Sequence, residues 1–128
     1  MKVDGGVGFE LETVGAQAKE LEEMGYSGIM TAETSHDPFF PLLVAAQNTG
    51  RVELVTSIAV AFARTPMIMA NIGHDLNAFS KGRLVLGLGS QIRPHITKRF
   101  SMPWSNPARR MKEIVQAIQV VVEAIVTL

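Results

Sequence analysis

The candidates for proton chemistry in this sequence are one carboxylate and two imidazoles, those of Glu33, His36 and His95. Such groups act as general acids or bases when they lie within hydrogen-bonding reach of a reacting atom. Plainer roles are also open, because Glu33 would suit a polar strand end and His36 a surface turn. For His95, which has basic neighbours, the alternatives are an anion contact and a solvated basic loop.

Four strand-helix units must position these side chains. The candidate strands begin near Val3, Ser27, Val52 and Leu84, and each precedes a stretch with helical periodicity. This alternation predicts a parallel sheet with helices packed on it. We therefore predict an α/β fold in one domain over residues 1–128. Its architecture would be the (βα)4 half of a TIM-type (β/α)8 barrel.

Three of the helices have a clear start signal. The pairs Asp37-Pro38, Thr65-Pro66 and Asn106-Pro107 each combine a side-chain oxygen with a proline. The oxygen accepts a hydrogen bond from the first helical turn, and the proline lacks an N–H that would have no partner there. The boundaries of the units are therefore well defined by the sequence.

In barrels, the loops that follow the carboxyl ends of the strands build the active site. In this chain those loops are residues 33–37, 58–64 and 89–104. The stretch 89–105 has neither helical nor strand periodicity and is about three times the usual connection length. Long ordered loops in compact domains are commonly functional, so this one is expected to contribute to a site.

Composition limits the classes of partner. Lys+Arg and Asp+Glu each number 12, so the formal net charge is zero and attraction to nucleic acid or to an anionic membrane is not expected. The chain has no cysteine, which excludes a disulfide framework and a thiolate metal site, and we predict no bound metal. No signal sequence is recognisable at the start, and no apolar run approaches roughly 18 residues. These features predict a cytoplasmic protein.

Three segments of the chain resemble a known family. They are residues 31–39, 58–66 and 82–91, and two short motifs further along, Met102-Pro103-Trp104 and Arg109-Arg110-Met111, add to the likeness. Together they resemble the luciferase-like monooxygenase superfamily. Within it, the chain is most similar to the oxidoreductases that use the 8-hydroxy-5-deazaflavin coenzyme, coenzyme F420. The likeness covers nearly the whole chain but only the N-terminal part of the family's eight-stranded barrel.

This resemblance implies roles for individual residues. The family places an acidic residue or a histidine near the reactive ring edge at the end of strand two, where this chain has Glu33 and His36. At the end of strand three, the family implies a cis peptide bond between Ser57 and Ile58, whose bulge presses on the cofactor ring. The further cofactor contacts that it implies are Ala59, Gly89, Ser90 and Gln91.

The resemblance also has implications for which residue acts as general acid and for which cofactor is bound. Several relatives have a carboxylate after strand four, where this chain has Ser90 and Gln91. Neither of these titrates usefully, so a general acid would have to be His95 or His36. The implied cofactor is coenzyme F420, with FMN as the alternative. Because the part of the family that holds the cofactor's phosphate-bearing tail is absent, weak binding is expected.

Two functions follow as hypotheses. The first is a flavin- or deazaflavin-dependent oxidoreductase or monooxygenase acting on a small-molecule substrate, in which the hydride or oxygen chemistry belongs to the cofactor. The second is a non-catalytic half-barrel that serves as a self-assembling structural unit, because a closed barrel usually needs about 250 residues. A doubly wound nucleotide-binding domain is poorly supported, since Ile92 stands where the third glycine of its fingerprint would be.

Self-association is expected from the strands at the two edges of the sheet. The predicted strands Val3–Gly5 and Leu84–Leu88 carry neither the lysines nor the prolines that guard a free edge. The fourth helix has a broad apolar stripe between Met111 and Ile125. We therefore predict a homodimer or a higher oligomer, with the fourth helix or the open edges in the interface.

Overall fold

The computed structural model describes residues 1–127. Its regular elements alternate along the chain, with two single helical turns at Ala61–Ala63 and His95–Arg99. The strands are β1 (Asp4–Gly6), β2 (Gly28–Thr31), β3 (Glu53–Thr56), β4 (Ala59–Val60), β5 (Leu84–Val85) and β6 (Leu88–Gly89). The helices are α1 (Leu11–Glu23), α2 (Phe39–Asn48), α3 (Pro66–Phe79) and α4 (Pro107–Thr127). Among the helices of the described chain, none is long and apolar enough to cross a membrane.

The main sheet is parallel and has four strands in the order β1-β2-β3-β5. Alternate residues face opposite sides of it. On one side, Ile29 and Leu54 are in register and fully buried. This arrangement confirms the predicted α/β class and the half-barrel of parallel strands with helices.

The described chain contains two compact units. The first consists of residues 1–59 and 75–87, and it contains the main sheet with α1 and α2, which pack on each other. Its core includes Val14, Ala18 and Leu42, all fully buried. The second consists of residues 60–74 and of those from 88 onward. Its larger buried side chains include those of Phe62, Met69, Ile96, Ile114 and Ile118.

Side-chain hydrogen bonds form at all three predicted helix starts, and α3 and α4 begin at the predicted prolines, while α2 begins at Phe39, one residue after Pro38. The carboxylate of Asp37 accepts from the N–H groups of Phe39 and Phe40, at 2.7 and 2.8 Å. The Thr65 hydroxyl accepts from the Ile68 N–H at 3.2 Å, and the Asn106 side-chain oxygen accepts from the Arg109 N–H at 3.3 Å. These bonds satisfy N–H groups that have no partner within the helix.

Two predicted strands are interrupted in the structure. The stretch from Val52 to Val60 divides into β3 and β4, and the stretch from Leu84 to Leu88 divides into β5 and β6. The interruptions meet, because the Thr56 hydroxyl donates to the Gly87 carbonyl oxygen at 2.8 Å and accepts from the Gly87 N–H at 2.9 Å. A side chain thus takes the place of a backbone partner in the ladder at this point.

Glu22 organises the loop between α2 and β3. Its carboxylate accepts from the backbone N–H groups of Gly50, Arg51 and Val52, at 2.7 to 3.1 Å. Partial burial opposes the charged form, but these three bonds and the Arg51 guanidinium outweigh burial and hold the pKa of Glu22 below its ordinary value of 4.5. The carboxylate therefore stabilises the folded chain at neutral pH.

We expect the Glu22→Gln variant to lose about 1 kcal/mol of unfolding free energy at pH 7, a modest amount because the group is partly exposed to solvent. A lowered folded-state pKa makes this contribution complete above the unfolded value of about 4.5 and removes it as the pH falls through the folded value. Urea unfolding between pH 7 and pH 3 measures both effects. The difference between wild type and variant should shrink at the acidic end, and a difference that stays constant with pH would contradict the assignment.

Arg83 connects the end of α2 to the strands of the first unit. Its guanidinium donates five hydrogen bonds, each between 2.8 and 3.1 Å long. The acceptors are the Ser80, Val52, Ala46 and Thr49 carbonyl oxygens and the Thr49 hydroxyl. Because the last carbonyls of a helix have no intrahelical partner, this side chain satisfies groups that the fold leaves open.

Candidate functional site

The carboxyl ends of β2 and β3 are joined by backbone hydrogen bonds. The Ser57 N–H donates to the Thr31 carbonyl oxygen at 2.6 Å, and the Glu33 N–H donates to the Ile58 carbonyl oxygen at 3.1 Å. The peptide bond between Ser57 and Ile58 is cis, which confirms the geometry that the family resemblance implies. The backbone of Glu33 and the Ser57-Ile58 segment are thereby brought together.

The end of β5 is attached to the same region of the first unit. The Ala59 N–H donates to the Gly87 carbonyl oxygen at 2.9 Å, next to the paired bonds between Gly87 and Thr56. A Cβ atom at Gly87 would overlap the Thr56 carbonyl oxygen. Glycine is therefore required here by the close approach of two backbones.

The predicted site residues that belong to the first unit differ in how far their side chains are exposed to solvent. Ser57 is exposed, while Glu33 and Ile58 are half-buried. Ala59 is fully buried and its N–H is already bonded, so its side chain offers no surface to a ligand. The side chains at the strand ends that a ligand could touch are therefore those of Glu33, Ser57 and Ile58.

His36 is exposed and lies against the aromatic ring of Phe9, which was not among the predicted site residues. The rings of His36 and Phe9 are stacked, with centroids 4.7 Å apart and planes inclined by 21°. Phe9 is in the loop after β1, and His36 is in the loop after β2. The sequence feature that could have pointed to this contact is the aromatic residue directly after Gly8, in the loop that follows the first strand. The stack gives His36 a defined ring orientation at the carboxyl end of the sheet.

The remaining predicted residues belong to the second unit. There the Ser90 hydroxyl donates to the Gln91 carbonyl oxygen at 3.1 Å, and the Gln91 side-chain oxygen lies 3.2 Å from Nδ1 of His95. Gln91 has a left-handed backbone with φ of 58°. His95 itself is exposed and begins a helical turn whose Ile96 is buried. The prediction of a loop without periodicity over residues 89–105 is therefore wrong at His95–Arg99.

The described part of the chain offers no evident set of side chains that could bind a metal ion. Within residues 1–127, no three or more His, Cys, Asp or Glu side chains are grouped so that they could hold a metal ion. The site residues of the first unit offer a carboxylate, a hydroxyl and apolar surface at the ends of β2 and β3, and an exposed imidazole in the loop after β2. Such groups can bind an organic ring and move protons at its edge.

Comparison with known proteins identifies the family. The profile of luciferase-like monooxygenases matches residues 2–127. The chain belongs to the luciferase-like monooxygenase family. An uncharacterized protein of Mycobacterium tuberculosis is 60% identical over 121 residues, which are 94% of this chain and 36% of that protein. A putative coenzyme F420-dependent oxidoreductase of the same organism is 29% identical over 122 residues, which cover 88% of this chain and 35% of that protein.

Solved structures share the fold of this chain. The oxygenating constituent of 3,6-diketocamphane monooxygenase from Pseudomonas putida, in complex with FMN, superposes with a TM-score of 0.80 at 13% identity. That superposition covers 94% of this chain and 40% of the other. The chain thus spans about a third of the length of the curated relatives that it matches. It corresponds to part of a luciferase-like barrel.

Proposed function

We propose that the carboxyl ends of β2, β3 and β5 form the ring-binding surface of a flavin- or deazaflavin-dependent oxidoreductase. The observation that carries this proposal is the set of backbone hydrogen bonds that holds Glu33, Ser57-Ile58 and Gly87 together in the first unit. Membership of the luciferase-like family supports it. When bound, the ring supplies hydride or oxygen chemistry that side chains lack.

The residues present fit a planar organic ring. Ile58 is half-buried and offers apolar surface, Ser57 is exposed, and the backbone N–H of Glu33 is bonded to the Ile58 carbonyl oxygen. In this proposal Ile58 contacts the ring face, while Glu33 or His36 holds a proton at the ring edge. Gly89, Ser90 and Gln91 of the second unit are proposed as further cofactor contacts, and His95 as an alternative proton donor.

Coenzyme F420 is the proposed cofactor, and FMN is the alternative. The first choice rests on the relative from Mycobacterium tuberculosis, which is named for coenzyme F420 and is 29% identical. FMN is the alternative that the family resemblance implies. We further propose a small-molecule substrate and the cytoplasm as the location, as expected from the sequence.

We expect the isolated chain to bind coenzyme F420 with a dissociation constant above about 10 µM. Much of a cofactor's affinity comes from contacts to its remote charged groups, and the chain spans only about a third of the length of its relatives. Fluorescence titration with coenzyme F420 and, separately, with FMN measures this affinity. Saturation below micromolar concentration would show that a complete site exists and would contradict the proposed partial one. Absence of any saturable signal with either cofactor would contradict the ring-binding proposal itself.

A pair of matched variants localises the binding. Ile58→Ala removes apolar surface from the proposed ring contact, and we expect it to weaken binding at least about threefold. Ile68→Ala makes the same chemical change at a half-exposed position on α3 and should leave the affinity unchanged. Circular dichroism on both variants separates loss of the contact from loss of the fold.

The alternative function, a self-assembling structural unit, is favoured by one face of the main sheet. Gly6, Met30, Val55 and Val85 are in register across its four strands. Met30 and Val85 in this row are 38% and 41% exposed. Within the main sheet of the described chain, β1 and β5 are the edge strands and pair on one side only. Apolar rows and free edges of this kind are normally covered by another polypeptide.

We expect the chain to associate with itself at micromolar concentration. Light scattering coupled to size exclusion should report at least twice the chain mass of 13.9 kDa. Met30→Lys places a charge in the apolar row and should shift the chain toward monomer. Met67→Lys, at an exposed position on α3, is the matched control. A well-folded monomer for the wild-type chain would rule out self-assembly.

A further inference from the structure

Charge is divided unevenly between the two units although the chain as a whole is neutral. The first unit contains ten acidic and five basic residues, so its formal side-chain charge is −5. The second contains two acidic and seven basic residues, so its charge is +5. The two units therefore carry formal charges of equal size and opposite sign.

In the first unit, three of the ten acidic residues lie on the exposed side of α1. Glu12, Glu20 and Glu23 are all exposed. At about 100° per residue these three positions fall within roughly 80° of one another around the helix axis, and exposed Lys19 lies beside them, so this side of the helix keeps a surplus of negative charge. Val14 and Ala18 occupy the buried side. We call Glu12, Glu20 and Glu23 the acidic helix face.

In the second unit the positive charge is concentrated in residues 93–112, which we call the basic segment. It contains six basic residues and no acidic one. Arg93, Lys98 and Arg99 are exposed in and beside the helical turn at His95–Arg99. Arg109 and Lys112 are exposed near the start of α4, where Glu113 pairs with Arg109 at 3.1 Å. The basic segment therefore keeps a large positive surplus.

We infer that two copies of this chain dock reciprocally, with the acidic helix face of each against the basic segment of the other. Charge complementarity carries the inference, because one chain presents both surfaces with equal and opposite unit charges. A two-fold axis would form the same contact twice and neutralise both surfaces. An external polyanion, in contrast, would be repelled by the first unit. The inference rests on the self-association proposed above and adds which surfaces meet.

The test is the salt dependence of association of the whole chain, combined with charge reversal. Docking between exposed charges weakens steeply as salt shortens the screening length. We expect the dissociation constant of the dimer, measured by sedimentation, to rise at least about tenfold between roughly 50 and 500 mM NaCl. Glu12→Lys with Glu23→Lys, and separately Arg93→Glu with Lys98→Glu, should each weaken the dimer by a similar factor at low salt.

Mixing the two charge-reversed chains gives the decisive result. Each mutated surface then faces one of opposite sign, and the two unmutated surfaces also face each other, so a heterodimer of wild-type affinity is expected. Asp75→Lys with Glu123→Lys changes the charge equally at exposed positions outside both surfaces and should have little effect. A dimer insensitive to salt and to both reversals would overturn this inference while leaving self-association standing. A monomer at every salt concentration would overturn both, and neither result bears on cofactor binding.

Discussion

Replacing Gly87 by alanine is expected to lower the free energy of unfolding by about 3 kcal/mol, because the added methyl group would overlap backbone. The obstacle is the carbonyl oxygen of Thr56, which cannot rotate away as a side chain would. Relief requires β5 and β6 to move away from β3, which breaks both hydrogen bonds between Thr56 and Gly87. Chemical unfolding followed by circular dichroism measures the change.

Gly50→Ala is the matched control for this substitution. No atom lies within 4 Å of the position that its Cβ would take, and its N–H remains free to bond Glu22. We expect this variant to be neutral or slightly stabilising, since alanine reduces the freedom of the unfolded chain. Equal stability of the two variants would show that β3 and β5 do not approach each other as described.

Replacing Arg83 by alanine is expected to cost about 3 kcal/mol of unfolding free energy. The substitution removes five hydrogen bonds at once and leaves carbonyl groups at the end of α2 without their donor. Uncompensated polar groups in a partly buried setting are costly. Thermal and urea unfolding of the purified variant give the magnitude.

Two further variants make the Arg83 result specific. Arg83→Lys keeps the positive charge but lacks the planar guanidinium group with its several N–H donors. It should therefore recover less than half of the unfolding free energy that Arg83→Ala loses. Arg93→Ala removes an exposed arginine and should change stability by less than about 0.5 kcal/mol. If Arg83→Lys matched the wild type, charge rather than the hydrogen-bond geometry would explain the role of Arg83.

The helix starts were predictable from the sequence because their chemistry is local. Asp37, Thr65 and Asn106 each bond N–H groups two or three residues ahead, so the pair of a polar residue and a proline contains all the necessary information. The alternation of strands and helices was predictable for a similar reason, since hydrophobic periodicity repeats within each element. The cis bond between Ser57 and Ile58 came from family resemblance rather than from any local pattern.

The features that were missed depend on residues far apart in the chain. The division of the third and fourth predicted strands requires Thr56 to meet Gly87, 31 positions later. The stacking of Phe9 on His36 likewise joins two separate loops. The helical turn at His95–Arg99 contains the buried side chain of Ile96, and burial depends on how the folded chain packs. Pairings of this kind are set by tertiary structure, and single-sequence periodicity does not contain them.

The ring-binding proposal is tested most directly by amide NMR spectra recorded while coenzyme F420 is added to the isotope-labelled chain. Binding at the carboxyl ends of the strands predicts saturable shifts of the Glu33, Ser57, Ile58 and Ala59 amides. The amides of Ser27 and Glu53, at the opposite ends of β2 and β3, should not move. Shifts confined to Ser27 and Glu53, or no saturable shift in either group up to millimolar coenzyme, would contradict the account.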